Sequence, residues 1–237
     1  MRFQTPLIPA RLIRRYNRFL ADVALEYDGE EVVAHCPNPG SMMGLKEPGT
    51  RIWLEPNDDP TKKLKFGWRL VELPNKNLAC IDTAVPNRVV KEALGSQTIE
   101  DFAGYSNVRP EVKYSKNSRI DFLLSEDGHA DIYIEVKNVH LMREAGLAEF
   151  PDCITARGAK HLHDLSAMVS EGHRAVMLYL VQRTDCSEFA LARDLDRAYG
   201  QAFDMAMSSG VEVMCFSTQI STQGVKLASK LPVLELK

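Results

Sequence analysis

No window of the sequence approaches the roughly 18 consecutive apolar residues that a bilayer span requires. No apolar run follows Arg2 in the manner of a secretory leader. The reading is a cytoplasmic protein with no membrane partner. The five cysteines, Cys36, Cys80, Cys153, Cys186 and Cys215, are odd in number and widely spaced. With no Cys-x-x-Cys pair among them, nothing suggests zinc or thioredoxin chemistry and reduced thiols are expected. Neither G-x-S-x-G nor G-x-x-x-x-G-K-[ST] is spelled anywhere, which removes the serine hydrolases and P-loop NTPases. Excess positive charge is missing as well: 29 Lys and Arg against 32 Asp and Glu leave a net charge of −3. A basic nucleic-acid-coating protein is thereby excluded, and any anionic partner must be met by a local patch.

What is present is apolar surface, 45% of 237 residues, enough for one large domain or two modest ones. Residues 1–85 read as short strands: RLIRRY, FLADVALEY, EEVVAHC, TRIWLEP, FGWRLVEL and NLACIDTAV, punctuated by DG, NPG, EPG and NDDP. Five or six such strands predict a small OB-like β-barrel, a fold that often binds oligonucleotides on one open face. Its basic residues fall in two stretches. The first 20 residues carry Arg2, Arg11, Arg14, Arg15 and Arg18 with no acid, and Lys62, Lys63, Lys65, Arg69 and Lys76 cluster later against only Glu72. Tyr16, Phe19, Phe66 and Trp68 interleave with them. Cations that neutralise phosphates beside rings that stack on bases are the composition of a nucleic-acid groove, although the same rings could be barrel core and the same lysines could merely solubilise an edge. The Pro- and Gly-rich segment HCPNPGSMMG, residues 35–44, is either a binding loop or a structural crossing.

From residue 86 to 237 the elements lengthen into a mixed α/β pattern: a helix near Asn87–Leu94, a short one near Ile99–Phe102, strand PEVKY, a hairpin, and a helix capped by Thr155 that runs to Ser170. Then come the uninterrupted apolar run AVMLYLV, fit for a strand buried on both faces, a helix from Arg197 to Ser208, and strand VEVMCF. On the Thr155 helix, Ala159, Leu162, Leu165 and Val169 form one stripe and Arg157, Lys160, His161 and Asp164 the opposite one. A polar stripe usually faces solvent. Arg157 and Lys160, however, lie in the first turn, where cations oppose the helix dipole, and that placement points to an anionic ligand.

The hairpin organises the rest. SRIDFLL and DIYIEVK alternate with period two: Ile120, Phe122 and Leu124 oppose Arg119, Asp121 and Leu123, while Ile132, Ile134 and Val136 oppose Tyr133, Glu135 and Lys137. The Asp127-Gly128 turn between them sets an antiparallel register with position 121 across from 135. Cross-strand Cβ atoms are then about 5 Å apart, and residues two apart on one strand about 6.6 Å, so two carboxylates and an ammonium converge. Such a trio suits metal-assisted phosphodiester hydrolysis, with Asp121 and Glu135 holding Mg²⁺ or Mn²⁺, the Val136 carbonyl adding a ligand, and Lys137 acting on the attacking water. The spacing D-x13-E-x-K is that of the PD-(D/E)xK nucleases without the Pro. Glu111-x-Lys113 and Glu235-x-Lys237 spell the same triplet with no acid on a partner strand. The alternative is a solvated strand face whose ion pair contributes at most about 1 kcal/mol.

RYNRFLADV, HCPNPGSM, NSRIDFLL with YIEVKNVHL, FPDCITARGAKHL and EGHRAVMLYLVQR together resemble the sugar fermentation stimulation protein A (SfsA) family across essentially the whole chain. The resemblance implies an OB-like barrel (1–85) joined to a PD-(D/E)xK nuclease-like mixed-sheet domain (86–237), DNA binding, and a link to the regulation of sugar metabolism. It carries the nuclease pattern onto Asp121, Glu135 and Lys137, with Glu111 as an extra acid. His140 and Pro39 each stand where the family usually has Thr, and Ala156 where it has an acid; none is a proposed metal ligand. The expected DNA contacts are Arg14, Arg15, Arg18, Lys62, Lys63, Lys65, Arg157, Lys160 and His161. A DNA-binding regulator with a vestigial site is the alternative. The tail LPVLEL is expected to pair with a strand, and no oligomeric state follows from the sequence.

Overall fold

A computed structural model describes residues 1–114 and 118–235 of the chain. The six short strands expected at the start all form: β1 (Ile8–Tyr16), β2 (Leu20–Leu25), β3 (Glu31–His35), β4 (Arg51–Pro56), β5 (Phe66–Glu72) and β6 (Leu78–Cys80). Their order is β3-β2-β1-β4-β5-β6, and a parallel pairing of Ala34 with Phe66 and His35 with Gly67 joins β3 to β5. That closure makes a five-stranded barrel of β1 to β5. Alternation fills it: Ala21, Val23 and Leu25 of β2 point into a core shared with Leu12, Ile52, Leu54 and Trp68. Trp68 is fully buried, and its indole N–H donates to the Leu70 carbonyl at 3.0 Å. It is therefore barrel core and not a groove aromatic.

β6 leaves the barrel edge and carries hydrogen bonds into the second unit. The Cys80 N–H donates to the Gln182 carbonyl (2.8 Å) and the Thr184 N–H to the Leu78 carbonyl (3.0 Å). After it come α1 (Val85–Gly95), β7 (Asn107–Lys113), β8 (Arg119–Ser125), β9 (Ile132–Val139), β10 (Leu141–Glu144), β11 (Leu147–Phe150), α2 (Ala156–Ser170), β12 (Arg174–Val181), β13 (Glu188–Leu191), α3 (Arg197–Ser208), β14 (Glu212–Ser221), β15 (Gly224–Lys230) and β16 (Val233–Leu234). The main sheet runs β15-β14-β12-β9-β8-β7, with β12 parallel to both β9 and β14. Two crossovers in the same direction place α2 and α3 on one face. There Leu162, Leu165, Tyr199 and Phe203 pack on Met177 and Tyr179, while α1 covers the other face through Val89, Val90 and Leu94 against Val176 and Leu178. β12 is accordingly buried on both sides, as its unbroken apolar run requires.

Two features differ from the sequence reading. A separate four-stranded sheet, β10-β11-β13-β16, forms beside the main one. Its strands have two to four residues each, too few for a period to be visible. The tail does pair with a strand, Val233 and Leu234 lying parallel to β13 of the same chain. Ile120 also packs with the α2–α3 core, whereas Phe122 and Leu124 join the α1 core. The alternation of β8 thus breaks beside Asp121, opposite a left-handed residue of β7 described below. The third Glu-x-Lys triplet ends at Lys237, outside the described residues. Among the described residues, no helix is long and apolar enough to cross a membrane.

α2 begins where expected. The Thr155 side chain accepts the Gly158 N–H at 3.0 Å, and Gly158 is buried against α3. A Cβ on Gly158 would lie 2.9 Å from the Thr155 side chain and 3.0 Å from the Tyr199 ring. Gly158→Ala is expected to cost about 1–3 kcal/mol by overpacking, read as a lower urea midpoint; a midpoint equal to the parent's would show that the α2–α3 contact yields.

Candidate active site

The hairpin register is the expected one: Phe122 pairs with Ile134 and Leu124 with Ile132, so Asp121 lies across from Glu135. At that point the backbone ladder gives way to a side chain. The Val136 N–H donates to Asp121 Oδ2 (2.7 Å), and Asn87 of α1 donates to Oδ1 (2.7 Å). On the other edge of β8, Pro110 pairs with Phe122 and Val112 with Ile120, which sets Glu111 beside Asp121. Glu111 adopts a left-handed φ of 55° inside a strand. Such a conformation is uncommon for a residue with a Cβ and tends to persist where the surroundings impose it.

Glu135 is 3% exposed, and its Oε1 accepts Lys137 Nζ at 2.7 Å and meets His161 Nδ1 from α2. Arg157 Nε donates to His161 Nε2 at 3.3 Å, one turn earlier on the same helix. With Nε2 accepting, the ring proton sits on Nδ1 and points at the carboxylate. The polar stripe of α2 is therefore turned onto the sheet, not into solvent, and His161 is buried beside Glu135 instead of lying open to a nucleic acid. Lys160 is spent on Asp164 (2.6 Å) and Ser118. Arg157, by contrast, keeps its terminal nitrogens clear of hydrogen bonds among the described residues, as Lys113 and Arg119 do their whole side chains. A cavity of about 560 Å³ is lined by Glu111, Lys113, Arg119, Asp121, Glu135 and Arg157, among others. Acids and cations thus share one cavity.

The two carboxylates diverge in acidity. Burial raises Asp121, the nearby Glu135 charge raises it further, and the Val136 and Asn87 hydrogen bonds offset only part, leaving it pushed up to about 6. Burial works in the same direction on Glu135, but His161 and Lys137 outweigh it and hold the group below its ordinary value. A proton shared by the pair therefore resides on Asp121. Glu135 Oε2 is buried with no hydrogen-bond partner. An orphaned carboxylate oxygen beside a second carboxylate that burial makes reluctant to ionise is the electrostatic vacancy a divalent cation would fill, so the donor set fits Mg²⁺ or Mn²⁺. Among the described residues no third His, Cys, Asp or Glu converges with these two in ligating geometry. The remaining positions would then fall to a carbonyl such as that of Val136 and to water, the usual manner for Mg²⁺.

The barrel residues sort differently. Arg14 is paired with Asp22 (2.7 Å) and lies over the Tyr16 ring. Arg15 is committed to backbone carbonyls, those of Arg18 (2.9 Å), Asn38 (2.7 Å) and Gly40 (3.1 Å), and so braces the 35–44 loop. That loop is a latch between the two units: Asp152 accepts the Ser41 N–H (2.9 Å) and the Met42 N–H (3.4 Å), and His140 Nε2 approaches the same carboxylate at 3.4 Å. Neither His140 nor the loop reaches the acid cavity. Arg18 stays exposed, as do Lys62, Lys63 and Lys65, the last with its ammonium on the Asp59 carbonyl. Asn87 escaped the sequence reading because nothing local marks it; only the packing of α1 under β8 brings it to Asp121.

A closed five-stranded OB barrel hydrogen-bonded to a mixed sheet with an acidic pair at its hairpin defines an OB domain followed by a restriction-endonuclease-like domain. Comparison with known proteins agrees. The model for the SfsA N-terminal OB domain matches residues 13–81, and that for the sugar fermentation stimulation protein RE domain matches residues 84–224. The chain belongs to the SfsA family. It is 63% identical over 233 residues to a sugar fermentation stimulation protein homolog of Roseobacter denitrificans, covering 98% of this chain and 99% of that one. Homologs from Dinoroseobacter shibae (64% over 233 residues; 98% and 96% covered) and Ruegeria pomeroyi (65% over 231; 98% and 100%) are similarly close. The structure of Pyrococcus furiosus SfsA in complex with Ca²⁺ has the same fold, with a TM-score of 0.88 at 23% identity over 99% of this chain and 98% of that one.

Proposed function

We propose that the protein binds DNA and hydrolyses its phosphodiester bonds with a divalent cation at Asp121 and Glu135. The observation that carries this reading is the pairing of those two carboxylates across the hairpin with Glu135 Oε2 left unpartnered, in a cavity that also holds Arg119 and Arg157. Mg²⁺ or Mn²⁺, held there with the Val136 carbonyl, would supply Lewis acidity to a phosphate oxygen and lower the pKa of a coordinated water. The chain's own groups do the rest. His161 and Lys137 fix the Glu135 rotamer from one side and keep it ionised. Asn87 and the Val136 N–H do the same for the orientation of Asp121. Arg157 and Arg119 would neutralise the phosphate entering the cavity, and Lys137, on moving from Glu135, would stabilise charge that builds on the phosphorus oxygens. Glu111, opposite Asp121, can order a water or a second ion. The Ca²⁺ complex of the Pyrococcus protein supports a divalent site of this kind.

A second reading, DNA binding without turnover, draws on one contact. The Lys137 ammonium is 2.7 Å from Glu135 and 3.2 Å from His161, turned toward the metal's own ligand. Labelled single- and double-stranded DNA incubated with Mg²⁺, Mn²⁺ or EDTA separates the two. Products that require metal and disappear in both Asp121→Ala and Lys137→Ala, with a loss of at least about 10³-fold for the metal ligand, support hydrolysis. DNA that is bound but left intact by the parent protein in every metal establishes the regulator.

A further inference from the structure

We propose that the barrel carries a nucleobase-stacking groove for a single-stranded nucleic acid, formed where His35 of β3 meets β5 and the 55–64 segment, with Phe19 of the β1–β2 turn beside it. It deepens the proposed function by naming the substrate strand, and rests on that function only for what becomes of the strand after binding. The groove encloses about 420 Å³ and is lined by Gln4, His35, Asn57, Lys62, Lys63 and Arg69, among others.

Of the rings in the two basic stretches, Trp68 is fully buried, Phe66 packs on the barrel core and Tyr16 lies under Arg14, but Phe19 is 46% exposed. Asn17 and Arg18 just before it both take left-handed φ values, 48° and 62°, and so turn the chain tightly onto β2. The Phe19 carbonyl is then fixed by the Cys36 N–H at 2.8 Å. Its ring lies nearly parallel to that of His35, 23° apart with centroids at 6.5 Å. His35 lines the groove and Phe19 stands stacked beside it, so the pair offers ring faces at the groove's edge, and an exposed phenylalanine gains nothing from water. Burial and the neighbouring Arg69 charge hold His35 below its ordinary value, so the ring that faces a base is the neutral imidazole.

The groove's polar groups fit the same ligand. Arg69 is spent on Glu55 and Asp82, each at 2.8 Å, and makes a rigid floor. Gly67 allows this, since a Cβ there would meet the Arg69 guanidinium at 3.0 Å. Lys62 and Lys63 make no ion pair among the described residues and stand at the rim, where they can neutralise phosphates. The Gln4 side chain and the His35 ring nitrogens likewise have no hydrogen-bond partner among the described residues, which leaves donors and acceptors free for a base edge. Rings stack only on bases that are not already stacked, so the strand is single.

The test is fluorescence anisotropy in EDTA at fixed salt, with labelled oligo(dT) and a duplex of equal length, on the full chain and on Phe19→Ala, Phe19→Trp and Lys62→Ala/Lys63→Ala. Phe19→Ala is expected to weaken oligo(dT) binding roughly 10-fold with an unchanged salt slope, Phe19→Trp to restore it, and duplex binding to stay as in the parent. The double lysine variant should weaken oligo(dT) and reduce the magnitude of its salt slope by about 1.4. Oligo(dT) binding by Phe19→Ala equal to the parent's, or an equal loss on single strand and duplex, overturns the groove. Because no metal is present, a protein that never cleaves DNA refutes the hydrolysis reading alone, while an inert Phe19 refutes the groove alone.

Discussion

In EDTA near neutral pH, Asp121→Asn is expected to unfold at a higher urea concentration than the parent protein. The sign follows from the raised acidity constant. Asp121 titrates from 3.8 when unfolded to about 6 when folded, so the native state binds the proton more tightly. Its contribution is fully favourable below about pH 4, is lost as the pH rises through about 6, and above that the buried carboxylate opposes folding. A rise of that size corresponds to about 3 kcal/mol. With the side chain only partly shielded from water, a gain of about 1–2 kcal/mol on removing the charge is the reasonable magnitude. Asparagine keeps an acceptor for the Val136 N–H, and its NH2 can donate to Asn87 Oδ1 once the Asn87 amide turns over, so little else changes. The advantage should vanish toward pH 4, where the parent's Asp121 is protonated. Added Mg²⁺, Mn²⁺ or Ca²⁺ should raise the parent's midpoint, as any ligand of the native state does, and leave the variant unmoved. If Asp121→Asn instead lowers the midpoint and both proteins respond equally to metal, the trio is a salt-bridge cluster and the catalytic proposal fails with it.

The residues that make this experiment possible were the most legible part of the chain. Period-two alternation on both sides of Asp127-Gly128 fixes a register, and a register fixes which carboxylates face each other. The barrel was legible for a similar reason: glycine- and proline-marked turns cut the first 80 residues into strands of visible length. What sequence could not supply was the direction of side chains whose surroundings are built by distant elements. The stripe of Arg157, Lys160, His161 and Asp164 is polar, and a polar stripe on an isolated helix reads as a solvated one. Here α2 is docked so that the stripe overhangs the middle of β9, where Glu135 provides a buried charge for His161 to meet. Arg15 looked like a phosphate ligand because arginines cluster around it, yet three carbonyl oxygens of neighbouring turns consume its guanidinium. The small second sheet was invisible because its strands are shorter than the period needed to recognise them.

The seam between the two units yields the other large effect. Asp152→Ala is expected to cost about 2–4 kcal/mol, because the carboxylate is the common acceptor for the Ser41 and Met42 N–H groups and faces His140, and its loss leaves part-buried donors unpaired. Gly40→Ala should act through the same contact: its Cβ would fall 2.5 Å from Asp152 Oδ2 and 3.1 Å from Asn38 Oδ1, so the latch must open for the methyl group to fit. The pH dependence runs opposite to that of Asp121. Burial alone would raise Asp152, but the His140 and backbone hydrogen bonds outweigh it and hold the carboxyl well below its ordinary value. A depressed carboxylate contributes stability that is present above its unfolded value of 3.8 and is lost as the pH falls below it toward the folded value. The parent should therefore lose stability over a range in which Asp152→Ala has none of this kind to lose, and the two urea midpoints should draw together as the pH falls below 3.8. Proteolysis near residues 35–44 gives an independent readout, since a loop released from Asp152 becomes cleavable while the barrel behind it stays folded. If the variant matches the parent in midpoint at neutral pH and in protection of that loop, the units are held together by other contacts, the β6 backbone bonds to Gln182 and Thr184 among them, and the loop is free to serve the nucleic acid instead of the seam.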